Sequence, residues 1–347
     1  MTEDLNKQSV SFPAVSIITP TWNRKGLLAE AIESVRCQTA TNWEHLIIDD
    51  GSSDGSREMV EALSAADSRI IWLPRDGEKD GANVCRNQGL RKSRGDYIVF
   101  LDSDDLLEPG CLERRVGLMR RNLDLDFAVF QTGFFVEKIG DRHQQEPGEI
   151  FGDDLLRILC FELPWIITAP IWRRETLKSL GGFDENLPSW QDIDLHLRAV
   201  AEDKKYLKFS VLDHHVRWHL EETRIGIQQR TSADHLMAAD KILAKFEDVV
   251  RNGPGMDWCR QRALCGLYFL VAECWIGVGR LEDSLRCWRQ VKTRRLGPSC
   301  LHHQGHLLLR GLSGGVSRKA AERLIPKWKG WMRFRGNPEL VAQHVAS

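Results

Sequence analysis

Short, unbroken apolar runs alternate with stretches of helical periodicity through the first two thirds of the chain. The runs are Val15–Thr19, His45–Asp49, Arg69–Leu73, Tyr97–Leu101 and Phe127–Val136. Between the first two, Leu27, Leu28, Ile32 and Val35 recur at helical spacing, and Met59, Val60 and Leu63 do so between the second and third. Such alternation predicts an α/β fold: a mostly parallel, doubly wound sheet flanked by helices, with right-handed crossovers. Ile98, Val99, Phe100 and Leu101 are too continuously apolar to alternate between core and water, so this strand is expected to be covered on both faces. It stops abruptly at Asp102, Ser103, Asp104 and Asp105. In open α/β sheets ligands bind beyond the carboxyl ends of the strands, and carboxylates one residue apart can share a hard cation.

Two further strands end in polar, turn-forming loops, Thr19-Pro20-Thr21-Trp22-Asn23 and Asp49-Asp50-Gly51-Ser52-Ser53-Asp54-Gly55-Ser56. Asp54 and Ser53 read as caps of the next helix. Asp50, ahead of glycines that permit tight turns, is placed to accept hydrogen bonds from a ribose or a base imide. Gly81 to Gly89 opens a polar-headed helix whose Arg86 is placed to reach a base or a phosphate. Gly181-Gly182-Phe183-Asp184-Glu185 precedes Trp190-Gln191-Asp192, after which Ile193, Leu197 and Val200 mark a helix face. Near that helix's amino terminus the dipole favours an ionised Asp192, suited to take a proton from a hydroxyl nucleophile. Asp194 lies one step further in and is the poorer candidate. His214, His215 and His219 follow a strand-like Leu207–Leu212, and one imidazole beside carboxylates would serve a metal site.

Composition sharpens the division of the chain. Its 347 residues carry a formal net charge of -1, which gives no argument for nucleic-acid binding. That balance conceals +11 from Arg251 onward against -12 before it. Past about Arg230 the pattern turns helical, with Ala263–Gly279 and Leu281–Val291 joined through a glycine turn as a helical hairpin. The nine cysteines are scattered without paired ligand spacing, which fits reduced thiols in a cytoplasmic protein and argues against structural zinc. No run approaches the roughly 20 apolar residues that span a bilayer. Lys327-Trp328-Lys329-Gly330-Trp331-Met332-Arg333-Phe334-Arg335 interleaves cations with aromatics, as expected of a segment at the anionic inner face of a membrane.

Taken together, residues 13–225 resemble a family 2 glycosyltransferase of the GT-A fold, a Rossmann-like sheet, with residues 1–12 as a polar tail and 226–347 as a smaller, basic helical region. The resemblance rests on Val15 to Arg24, Ile48 to Gly55, Gly81 with Arg86 to Gly89, Phe100 to Asp105, and Gly181 to Glu185 with Gln191-Asp192. It implies an inverting transfer of a sugar from a nucleotide-sugar, most commonly UDP-linked, to the hydroxyl of a glycan or lipid-linked acceptor. Residue by residue it implies nucleotide binding by Thr19, Pro20, Thr21, Asp50, Gly81, Arg86, Asp102 and Ser103. It further implies Mn2+ or Mg2+ on Asp102, Asp104 and His219, and Asp192 as catalytic base. Two positions depart from the family pattern: Gln191 stands where Glu usually precedes the base, and Cys85 where a small Ala is common. Trp165, Trp172 and Trp190 are expected in core packing, with sugar stacking the alternative. The competing class is a non-catalytic interaction protein that keeps the fold to carry a helical docking module. Nucleotidyl transfer ranks below both, for want of a glycine-rich triphosphate loop.

Overall fold

The computed structural model describes residues 12–142, 152–162, 164–218, 232–313 and 323–325. The chain divides into two compact units. The first comprises Met1–Ile150, Trp165–Glu185 and Lys204–Trp218, the second Phe151–Pro164, Asn186–Asp203 and His219–Ser347.

The first unit is built on a mixed eight-stranded sheet. Its strands are β1 (Val15–Thr21), β2 (Trp43–Asp49), β3 (Ile70–Pro74), β4 (Tyr97–Phe100), β5 (Leu106–Leu107), β6 (Phe127–Phe135), β7 (Pro170–Arg173) and β8 (Tyr206–Arg217), in the order β3-β2-β1-β4-β7-β6-β8-β5. Helices α1 (Lys25–Arg36), α2 (Ser56–Ala66) and α3 (Ala82–Lys92) make the crossovers, followed by α4 (Cys111–Arg121) and, later, the short α6 (Arg174–Ser179). The first four strands in this order run parallel, and their register pairs Thr21 with Asp49, Asp49 with Pro74 and Ile18 with Phe100. Four carboxyl ends therefore share one edge. Beyond β4 the sheet turns mixed: β7 is antiparallel to β4 and β6, whereas β6 and β8 are parallel.

The continuous apolar runs have the burial that their composition demands. Ile17, Ile18, Ile47, Ile48, Val99 and Phe100 are fully buried, each contributing about 1.5–3 kcal/mol relative to exposure. Helix α3 approaches β1 so closely that a Cβ on Gly89 would lie 2.4 Å from Ile18 Cγ2, so glycine sets the helix-to-sheet distance there. Trp172 stacks on Phe127 with centroids 4.2 Å apart. Trp165 and Trp172 are buried in this core, which settles them as packing residues rather than sugar platforms.

The second unit is helical: α5 (Asp154–Leu159), α7 (Gln191–Ala201), α8 (Ala233–Asn252), α9 (Trp258–Gly277), α10 (Leu281–Thr293) and α11 (Ser299–Leu312). The expected hairpin is α9 and α10, joined by a turn with Gly279 at φ 76. Leu155, Trp190, Ile193 and Leu197 share one core with Ile242, Phe246, Tyr268 and Trp288. Segments 151–164 and 186–203, expected inside a continuous 13–225 domain, thus group with the carboxyl-terminal helices, because their apolar faces are buried there. Trp190 lies in that core, tilted against Phe161 at 4.9 Å.

Candidate functional site

At the common edge of β1, β2, β3 and β4 the loops are tied to one another by side chains. Asn23, at φ 50, receives a hydrogen bond from the Ser53 amide at 2.8 Å, while its own amide donates to Ser52 Oγ at 2.9 Å. Asp54 accepts from the Lys25 amide at 2.8 Å and from Ser56 Oγ at 2.6 Å. It therefore serves the starts of both α1 and α2, a wider role than a simple cap. The Ser56 hydrogen bond, the leading cause, holds its carboxyl below the usual carboxylate range.

Asp50 stands at the tip of β2. One carboxylate oxygen pairs with Arg75 Nε and the other accepts from the Gly81 amide at 2.9 Å. Gly81 sits at φ 103, a conformation that side-chain-bearing residues rarely adopt. The nucleotide elements expected from Asp50 and from Gly81 are thus joined directly. Arg75, unremarked in the sequence, also donates from Nη1 to the Gly77 carbonyl at 2.9 Å. Gln88 completes the loop, accepting from the Asp76 amide and donating to the Pro74 carbonyl, each at 2.7 Å.

Beyond β4, the two outer carboxylates each hold a guanidinium. Arg86 Nη2 donates to Asp102 Oδ1 at 2.6 Å, and Arg24 Nη1 donates to Asp104 Oδ2 at 2.6 Å. Arg86 is 8% exposed and Asp102 34%, so the pair is anchored from the protein side and open from the other. Ser103 and Asp105 are buried. Asp105 accepts from Thr168 Oγ1 at 2.9 Å and from the Arg217 amide at 3.2 Å. Burial, helped by the charges of Asp104 and Asp102, pushes its carboxyl well above the usual range. Arg217 Nε also donates to the Asp104 carbonyl at 3.2 Å, so β8 braces the acidic turn.

Other expected site residues are placed differently. The Thr19 hydroxyl is fully buried and hydrogen-bonded to His45 Nε2 at 2.9 Å, so it is engaged inside the sheet. Burial lowers His45 to about 3, leaving the ring neutral. Pro20 and Thr21 are buried, and the Thr21 carbonyl accepts from the Asp50 amide at 2.9 Å. His214 and His215 serve the interior: His214 bonds Arg115, Asp213 and Thr132, and His215 Nε2 lies 2.5 Å from Glu108. His219 lies outside the described residues, as does Lys327 to Arg335. Asn87 donates to the Phe183 carbonyl and to Glu185 Oε1, both at 2.9 Å, fixing the Gly182 to Glu185 loop on α3.

Asp102 and Asp104 offer hard oxygen donors of the kind that Mg2+ and Mn2+ take. Among the described residues no three His, Cys, Asp or Glu side chains form a preformed metal cage. A pair of carboxylates fits the usual magnesium arrangement, in which substrate phosphates and water complete the shell.

In the second unit, Asp192 occupies the first turn of α7, behind Trp190 in the left-handed region at φ 63. Its Oδ1 accepts from the Ile193 amide at 2.9 Å and the residue is half-buried. Asp194 is buried, paired with Arg198 at 2.8 Å and Lys245 at 2.7 Å. Both pairs hold it inside the helical core.

The sequence pattern of Glycosyl transferase family 2 matches residues 16–180. A putative teichuronic acid biosynthesis glycosyltransferase, TuaG of Bacillus subtilis, is 38% identical over 148 residues, 42% of this chain and 58% of TuaG. The Campylobacter jejuni GalNAc(5)-diNAcBac-PP-undecaprenol beta-1,3-glucosyltransferase is 39% identical over 100 residues, 29% of this chain and 32% of that protein. The chain thus spans little more than half of the one relative and a third of the other. Among solved structures, Staphylococcus aureus TarS 1-349 in complex with UDP-GlcNAc superposes with TM-score 0.62 at 17% identity, covering 91% of each chain. The mannosyltransferase PcManGT of Pyrobaculum calidifontis, in complex with GDP-Man and Mn2+, does so with TM-score 0.52 at 17% identity, over 93% of this chain and 86% of that one. These likenesses carry the fold, which is GT-A. Residues 16–180, which carry the edge loops and the Asp102-Ser103-Asp104-Asp105 turn, are thus matched to glycosyl transferase family 2.

Proposed function

We propose that this protein transfers a sugar, with inversion, from a nucleotide-sugar to a hydroxyl of a glycan or lipid-linked acceptor in surface polysaccharide synthesis. The observation that carries this reading is the set of paired charges at one sheet edge: Asp50 with Arg75, Asp102 with Arg86, and Asp104 with Arg24. A nucleoside diphosphate carries what these groups recognise. Base and ribose would take the Asp50 and Gly81 side, with the main chain of Thr19, Pro20 and Thr21 beneath them. The diphosphate would take the Asp102 to Asp104 side, drawing Arg24 and Arg86 from carboxylate to phosphate.

Asp102 and Asp104, with His219 as a further ligand, would hold Mn2+ or Mg2+. When bound, that cation stabilises negative charge on the departing diphosphate. Asp192 is our assignment for the base: its carboxylate takes the acceptor proton as the acceptor oxygen bonds to the anomeric carbon. The bond from the anomeric carbon to the diphosphate oxygen breaks in the same step, its electron pair leaving on the diphosphate, and no covalent enzyme intermediate is needed. We place the catalytic domain at residues 13–225. UDP is the nucleotide we assign, and the cytoplasmic face of a membrane is the location that suits a lipid-linked acceptor. Among the described residues no helix is long and apolar enough to cross a membrane.

A thermal-shift screen of nucleoside diphosphates and nucleotide-sugars, with and without Mn2+, tests the reading. At a hundredfold excess over Kd, the donor stabilises the protein by about 2.7 kcal/mol. Asp104→Ala should remove the metal-dependent part. Folded wild type that neither shifts with nor hydrolyses any nucleotide-sugar would favour the non-catalytic docking reading instead.

A further inference from the structure

Helices α10 and α11 of the second unit bring together Arg289, Lys292 and Arg310, which among the described residues no acid balances. Trp288 of α10 stacks on His302 of α11 with ring planes 2° apart, and its Nε1 donates to the His302 carbonyl at 2.8 Å. A Cβ on Gly305 would lie 2.3 Å from the Trp288 ring, so the helices are in close contact. That contact brings Arg289 and Lys292 of α10 near the α11 face that carries His302 and His306. At 3.6 residues per turn, His302, His306, Arg310, His303 and Leu307 occupy one continuous arc of α11, which starts at the edge of the face buried through Leu301, Gly305 and Leu309 and runs away from it.

Arg289, Lys292, His303 and Arg310 are exposed, and among the described residues none of them makes an ion pair. Arg286, one position outside this strip, differs: Asp283 at 3.0 Å and Asp240 at 3.5 Å balance it. Leu307 stands within the arc at 56% exposure. Burial and the neighbouring cations lower both His302 and His306, so Arg289, Lys292 and Arg310 carry the charge near neutral pH.

We propose that this face of α10 and α11 docks on an anionic membrane surface, with Arg289, Lys292 and Arg310 meeting lipid phosphates and Leu307 entering the headgroup boundary. The exposed leucine decides between lipid and a soluble polyanion. A free polyanion offers it no apolar medium, whereas an interfacial helix buries such a side chain among cations. The inference deepens the reading above, resting on its lipid-linked acceptor for biological purpose, while the surface itself is defined by the helical unit alone.

Sedimentation of the full chain with phosphatidylcholine vesicles, with and without phosphatidylglycerol, tests it. Binding is expected only where phosphatidylglycerol is present, and is expected to fall away in about 1 M salt, where the screening length shrinks to roughly 3 Å. Replacing all three cations, Arg289→Gln with Lys292→Gln and Arg310→Gln, should weaken vesicle binding about 100-fold, each cation near an anionic surface being worth about fivefold. Leu307→Ser alone should weaken it about tenfold and guards against misfolding of the triple variant. A triple variant that sediments like wild type overturns the proposal. So does wild type that binds soluble polygalacturonate but not the vesicles. The nucleotide-induced thermal shift, read on the same samples, fails separately: its absence strikes the sugar-transfer reading and leaves the vesicle result standing.

Discussion

Carboxylates at the sheet edge of the first unit and those inside the helical unit are treated in opposite ways. At the sheet edge of the first, Asp50, Asp102 and Asp104 retain 16%, 34% and 12% side-chain exposure, and each pairs with a guanidinium. In the helical unit Asp194 and Glu247 retain 1% and 5%, and each is held by two cations. One partner of each helical carboxylate is four residues along the same helix, Arg198 and Arg251, and the other, Lys245 or Arg294, comes from elsewhere in the unit. A carboxylate satisfied from two sides and closed from solvent is a structural ion. One that keeps part of its surface open to solvent and pairs with a guanidinium is poised to exchange that guanidinium for a ligand. Burial, more than residue type, separates the two sets.

Asp192 and Asp194, two residues apart on α7, give the sharpest break of that contrast. Asp192→Asn is expected to lower kcat by about 10²–10⁴-fold, the usual weight of a general base, while leaving nucleotide affinity and unfolding free energy unchanged. Transfer at the normal rate would remove Asp192 from the mechanism. Asp194→Ala should do the reverse. Stripping one partner from a buried ionic cluster costs about 3–5 kcal/mol, here by removing the carboxylate that Arg198 and Lys245 share. Denaturant titration should register that loss, with UDP affinity in the folded fraction unchanged.

Acidification probes both units together. Burial lowers His45 to about 3 and His214 to about 4 in the first unit, and His196 to about 3 in the second. Below the ordinary histidine value near 6.5 the unfolded chain takes up protons that the folded chain refuses, so stability falls as pH falls. By pH 5 each ring should cost about 2 kcal/mol relative to pH 7. The carboxylate Asp213 adds to this at lower pH. Burial would raise it, but Arg115 and His214 outweigh that effect and hold it below the carboxylate range. Its stabilisation is therefore present above about pH 4 and lost as pH drops further. His45→Gln should flatten the decline between pH 6.5 and 5 by about 2 kcal/mol, and an unchanged slope would mean that water reaches the ring.

Much of this architecture was legible from local pattern. The runs that became β1, β2 and β4 are continuous enough to declare a doubly covered sheet, and an apolar strand ending in carboxylates announces its rim. Strands β5 and β7 were not legible. Leu106–Leu107 is only two residues long, and Pro170–Arg173 opens on a proline, so their strand character comes from partners in register rather than from their own sequence. The base assignment placed Asp192 on a helix start correctly, but its grouping with the helical core depended on apolar faces that meet across more than fifty residues of chain, as Trp190 meets Phe246 at 6.2 Å. The ion pairs of Arg24 and Arg75 were not legible for the same reason. Their carboxylate partners lie 80 and 25 residues away, and no local spacing signals such pairs.

Arg75 offers the smallest expected effect and the finest test of the sheet edge. Its Nε holds Asp50, its amide donates to the Asp49 carbonyl at 2.8 Å and its Nη1 holds the Gly77 carbonyl at 2.9 Å, so one side chain aims the Asp50 carboxylate and fixes the loop that leads to Gly81. A hydrogen bond to a charged group contributes about 1.5–3 kcal/mol. Part of that is recovered by water here, because Arg75 is 20% exposed. Arg75→Ala should therefore weaken UDP binding about tenfold, raise KM for the donor by the same factor and leave kcat near normal, since no reacting atom is touched. Arg75→Lys keeps the charge but not the planar fork, and should recover only part of the loss. Isothermal titration of UDP into Arg75→Ala, Asp50→Asn and the double variant separates direct from indirect action. If Arg75 works through Asp50, the double variant binds UDP no worse than Asp50→Asn alone. Additive losses would instead mean that Arg75 contacts the nucleotide itself, making the Asp50 pair a resting arrangement that the ligand dissolves.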